Sequence, residues 1–86
     1  MEQCEAMREF LKRGTFYDLG FYLYLKKRVR LGEWFLCREI GDELFVEKTT
    51  ILFRLRKMKA LGVIDYEGST DRTRGCRITA FKLEGL

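Results

Sequence analysis

The stretch Phe45 to Ile64, FVEKTTILFRLRKMKALGVI, constrains this chain more than any other. Its apolar residues Ile51, Leu55, Met58 and Leu61 recur at spacings of four, three and three, which draws one stripe along a helix. Lys48, Arg54, Arg56, Lys57 and Lys59 lie off that stripe, against the single acid Glu47. The spacing predicts a helix of about four turns with one side packed and the others basic. Gly62 offers a left-handed stop just past the last periodic residue, and Val63 and Ile64 open a β-prone run. The helix is expected to end where a strand begins.

Upstream, Glu2 to Arg13 sets Cys4, Met7 and Leu11 on one face with Phe10 beside them, a first helix closed by Gly14. Thr15-Phe-Tyr-Asp18 has the capping-box arrangement, with the acid at the positive end of a second helix over Thr15 to Leu31. That helix is apolar almost all round from Phe16 to Leu25. With Tyr17, Tyr22 and Tyr24 on one side and Phe16, Leu19 and Leu23 on the other, the two faces divide between the core and a homodimer interface. The other arrangement has Glu2 to Arg13 covering the second face within one chain. Lys26, Lys27, Arg28 and Arg30 make a basic last turn that suits the helix dipole and solvent. After Gly32, Glu33-Trp34-Phe35 is long enough only for a small strand or turn, and Leu36 to Leu44 forms a short helix with Leu36, Ile40 and Leu44 in line. A turn over Phe45 and Val46 then leads to the basic helix. Beyond it, Val63 to Glu67 and Cys76 to Leu83 read as two strands joined by the turn-forming Gly68 to Gly75.

Eighty-six residues suffice for one small domain, 1–86, near the size where a partner subunit's surface helps stability. Residues 1–46 hold eight Lys/Arg and eight Asp/Glu, while 47–86 hold nine and five, so the whole excess of +4 sits in the second half. A basic half points to an acidic partner, nucleic acid above all, or to a solvated surface. Cys4, Cys37 and Cys76 are 33 and 39 residues apart in a chain without histidine, a spacing that makes neither a metal knuckle nor a redox pair. The thiols are expected to be buried or free in an intracellular, cytoplasmic protein, with an intersubunit disulfide as the sharper option. The absence of Asn, a single Gln and the high charge lean thermophilic. No leader pattern or membrane-length apolar run is present, and nothing implies a cofactor, metal or small-molecule ligand. Catalysis has no histidine, glycine-rich phosphate loop or activated nucleophile to rest on; Glu39, Asp42 and Glu43 read as the solvated face of a short helix.

The run LCREIGDELFVEKTTILFRLRKMKALGVIDYEG and the Arg-rich hairpin tip after it resemble the winged helix-turn-helix fold of small transcription regulators, loosely of the ArsR and MarR type, over about residues 17–83. The resemblance implies an α+β chain: a three-helix core with a C-terminal β-hairpin wing, preceded here by an extra N-terminal helix over 1–14 that serves dimerisation. It also implies a recognition helix, 47–61, in the major groove of double-stranded DNA, and a wing, 68–75, on the minor groove or phosphates. The physical reading agrees, because a helix fits the major groove and its basic flank holds phosphates. Lys48, Thr49, Leu52, Phe53 and Arg56 lie off the apolar stripe and are the candidates for the groove, Arg72 and Arg74 for the wing, and Arg77 for a phosphate contact from the strand. Two features depart from the family pattern. Phe45 stands where such proteins commonly have a turn glycine, and Leu52 and Phe53 stand where polar readers are frequent. These two residues contact thymine methyls, pack under the hairpin or form a protein-binding face. The competing function is accordingly a winged-helix protein-interaction module that binds no DNA.

Overall fold

In the computed structural model, residues 16–71 and 73–83 are described. Their elements are helices α1 (Phe16–Arg28), α2 (Cys37–Leu44) and α3 (Lys48–Ala60), then strands β1 (Ile64–Gly68) and β2 (Cys76–Phe81). Three helices followed by an antiparallel hairpin make an α+β chain whose layout is compatible with a winged helix. The first expected helix, with its dimerisation role, lies outside the described residues. No helix among the described residues is long and apolar enough to cross a membrane.

Helix α1 is shorter than the expected Thr15 to Leu31, and its faces divide differently. Asp18, Phe21, Tyr22 and Leu25 are buried, with Val29 continuing the same line just beyond the helix. Spacings of three and four set these residues on one stripe, so Tyr22 points inward while Tyr17, expected beside it, stays 74% exposed. Asp18 lies in the first turn of α1, at the positive end of its dipole as expected, and it also has a tertiary partner. It is 1% exposed and forms an ion pair with Lys57 of α3, with Nζ 2.8 Å from Oδ2. The cost of burying a carboxylate is offset by a lysine brought from another helix.

The core gathers Tyr22 and Leu25 from α1, Ile40 from α2, Ile51, Leu55 and Met58 from α3, and Ile64 and Ile78 from the hairpin, all fully buried. Each such apolar side chain contributes about 2 kcal/mol through burial. At its C-terminal edge, the Tyr22 hydroxyl accepts the Leu83 amide at 3.0 Å, and its ring meets Phe81 edge-on at 5.5 Å between centroids. This contact holds the end of β2 against α1.

The expected hairpin forms with β1 and β2 in register from Ile64↔Phe81 to Gly68↔Cys76, broken by a bulge between Asp65 and Tyr66. Phe35, read as part of a small strand or turn, adds an isolated bridge to Cys76, with paired backbone bonds of 2.7 and 2.8 Å. Gly75 permits this approach. Its φ is +83°, and a Cβ there would lie 2.1 Å from the Phe35 carbonyl oxygen. The bridge fixes the base of the hairpin beside the start of α2.

Candidate functional site

The junction of α2 and α3 begins with a conflict between sequence and backbone. Phe45, in the position where a glycine would relieve the turn, takes the left-handed conformation itself, with φ 60° and ψ 39°. The Val46 amide donates to the Gly41 carbonyl at 2.9 Å, a bond of the Schellman type that closes α2. Tight closure then falls on Gly41, where a Cβ would sit 2.5 Å from the Val46 carbonyl oxygen. Phe45 is 94% exposed and lines, with Arg38, Lys48 and Thr49, a cleft of about 580 Å³ between the two helices.

Helical geometry gives α3 four sides. Ile51, Leu55 and Met58 face the core. One flank turns toward α1: Lys57 pairs with Asp18, and the Arg54 guanidinium stacks 4.8 Å over the Tyr17 ring. The other flank turns toward the hairpin: Lys59 lies 5.3 Å over the Tyr66 ring, while Lys48 and Leu52 line a cavity shared with Ser69 and Thr73 of the hairpin loop. The outward ridge, at helical spacings of four, three and four, is Thr49, Phe53, Arg56 and Ala60, all exposed.

Of the basic residues expected along α3, Lys48 and Arg56 are exposed and form no ion pair among the described residues. Arg54, Lys57 and Lys59 are drawn onto neighbouring elements. The structure brings Lys48, Thr49, Leu52, Phe53 and Arg56 to adjacent sides of α3, with Phe53 on the ridge at 66% exposure and Leu52 half-buried toward the hairpin. Position 72 lies outside the described residues. Arg74 is exposed in a loop ordered by Asp71, whose carboxylate accepts the Thr73 amide at 2.9 Å and the Thr73 hydroxyl at 2.7 Å. Those bonds hold the Asp71 carboxyl below its ordinary pKa. Arg77 is engaged within the hairpin: it pairs with Glu67, directly opposite in register, and stacks 4.7 Å over Trp34.

Three features escaped the sequence reading. Arg38 is exposed one element before the basic helix and lines both clefts beside Lys48. Phe45 was visible as a departure from glycine, but its near-complete exposure depends on the left-handed turn. Cys37 and Cys76, separated by 39 residues, place their sulfurs 3.9 Å apart. The Phe35–Cys76 bridge, which no local pattern announces, brings them together as free thiols.

The exposed ridge of α3, the aromatic turn before it and the hairpin loop ordered by Asp71 are the features that a candidate site can draw on. Comparison of the chain with protein-family models, with curated proteins and with solved structures finds no match.

Proposed function

We propose that the chain is a winged helix-turn-helix protein that binds double-stranded DNA sequence-specifically, acting in the cytoplasm as a small homodimeric transcriptional regulator. The outward ridge of α3 carries this reading: Thr49, Phe53 and Arg56 are exposed together, with Lys48 and Arg38 beside them and the Arg74 loop across the cavity. A helix fits the major groove, roughly 12 Å wide, where a threonine hydroxyl and an arginine fork read base edges and a phenylalanine meets thymine methyls. Lys48, Arg38 and the hairpin arginines Arg72 and Arg74 then hold phosphates or the minor groove. Arg77, already satisfied by Glu67 and Trp34, supports the hairpin and adds at most a lateral phosphate contact. Residues 1–14, together with the exposed Phe16 and Tyr17, form the dimer contact in this reading. Two α3 helices then address half-sites about 34 Å apart on a near-palindromic sequence.

A second reading, a protein-docking module, is favoured by a specific observation. Phe45 and Phe53 are 94% and 66% exposed, and Arg54 and Lys57 turn to α1 rather than outward. Fluorescence-anisotropy titration against a random duplex at two salt concentrations separates the two. DNA binding predicts micromolar affinity that weakens steeply with salt. Absence of binding even at low salt leaves docking, with Phe45 and Phe53 the first residues to substitute.

A further inference from the structure

The geometry points to Cys37 and Cys76 as a thiol–disulfide modification site, in which a small disulfide of the oxidised-glutathione class converts the two thiols into a covalent bond between α2 and β2. The sulfurs lie 3.9 Å apart, so a bond of about 2.05 Å requires them to close by rotation about the two side-chain torsions. The backbone holds them there. Phe35, two residues before Cys37, exchanges both its backbone bonds with Cys76, and Gly75 leaves room for that contact. Both cysteines are half-buried and line the cavity of about 570 Å³ between α3 and the hairpin loop, which gives a small reagent a way in. Neither thiol belongs to a disulfide in the structure.

The pair is chemically asymmetric. The hydrogen bond between them lowers the Cys76 pKa, and the same bond, together with burial, raises that of Cys37. Cys76 therefore ionises first, with the Cys37 S–H donating to its thiolate. In the first step the Cys76 thiolate attacks one sulfur of oxidised glutathione, forming a mixed disulfide and releasing one glutathione thiolate. In the second step Cys37 gives up its proton and attacks the Cys76 sulfur, breaking the mixed disulfide and releasing the second glutathione. Two protein thiols are oxidised, one external disulfide is reduced to two thiols, and the two thiol protons pass to the leaving glutathiones. The product closes a 39-residue span containing α2, α3 and β1. It fixes the hairpin base against the helix pair, and its formation does not depend on what the surface binds.

The test uses the full chain with Cys4→Ser, so that only these two thiols remain, equilibrated in glutathione buffers of graded redox ratio and quenched with a maleimide mass tag. The expected result is loss of both tags together at one midpoint, an intact mass lower by two hydrogens, a Cys37–Cys76 cross-linked peptide, monomer mobility on a denaturing gel without reductant, and full reversal by dithiothreitol. Adding Cys37→Ser should trap one glutathione on Cys76, whereas Cys76→Ser should leave Cys37 several-fold less reactive. Two independent glutathione adducts, intermolecular cross-links, or thiols that persist in excess oxidised glutathione would overturn the assignment. The Cys4→Ser chain decides it even where the serine variants fail to fold.

Discussion

Phe45 adopts a conformation that costs an L-residue about 1–2 kcal/mol relative to the right-handed region, and at 94% exposure it regains nothing by burial. Glycine avoids that steric cost, so Phe45→Gly should stabilise the fold by about 1 kcal/mol, read as a higher urea midpoint with unchanged slope. If this ring contacts the partner, the same variant should bind more weakly while melting higher. Loss of stability in Phe45→Gly would show that the ring packs against something and that the left-handed turn is not under strain. Gly41→Ala should act in the opposite direction and cost about 2 kcal/mol by forcing the α2–α3 closure apart, because its Cβ would meet the Val46 carbonyl at 2.5 Å. The turn over Phe45 and Val46 was legible from composition and periodicity. The residue that makes it possible was not, because Gly41 sits inside a helix and its necessity arises only from the returning backbone.

At the scale of the element, α3 shows how far periodicity reads and where it stops. Of the expected stripe Ile51, Leu55, Met58 and Leu61, the first three are buried as the spacing predicts and Leu61, just past the helix, is partly buried, and the chain leaves through Gly62 into β1 as expected. The basic remainder looked uniform in sequence, yet its members do different work, because α1 supplies Asp18 and Tyr17 to one flank and β1 supplies Tyr66 to the other. Two arginine or lysine truncations on one helix should therefore separate cleanly. Lys57→Ala removes the lysine paired with a buried carboxylate and should cost about 2–3 kcal/mol of folding stability. Arg56→Ala, on the exposed ridge, should change stability by less than about 0.5 kcal/mol and, under the proposed DNA-binding function, should weaken that binding and relax its sequence preference. Denaturant melts of both variants, paired with titrations on specific and random duplexes, provide the check. Equal losses on both duplexes for Arg56→Ala would remove it as a base reader, and an unperturbed melt for Lys57→Ala would deny the ion pair any structural weight.

For the whole molecule, the order of elements was legible because each is bounded by local signals: Gly32, Gly62 and the Gly68–Gly75 loop. The joints between elements were not, because they are made by side chains far apart in sequence whose local surroundings read as ordinary solvated surface. Glu43 shows this. Placed on the solvated face of a short helix by its sequence, it accepts hydrogen bonds from the Tyr24 hydroxyl and, at 2.9 Å to each oxygen, from the Arg28 Nε, joining α2 to the end of α1. The Tyr24 bond first and the Arg28 bond second hold the Glu43 carboxyl below its ordinary pKa. Burial and the negative oxygen beside it push the Tyr24 hydroxyl up to about 12. Glu43 is depressed in the fold, so its stabilisation is present above the ordinary carboxylate pKa and is lost as pH falls toward the depressed value. Tyr24 is raised, so its part is present below the ordinary tyrosine pKa and is lost as pH rises toward about 12. The joint is thus intact across neutral pH and opens at both extremes. Glu43→Gln should lower the melting temperature near neutrality, and the gap between wild type and variant should shrink as the buffer is taken from about pH 6 to about pH 3. Differencing the two curves cancels the other carboxylates, Asp71 among them, which titrate in both proteins. A gap that stays constant across that range would mean that the Glu43 charge does not join the two helices and that the joint rests on packing alone.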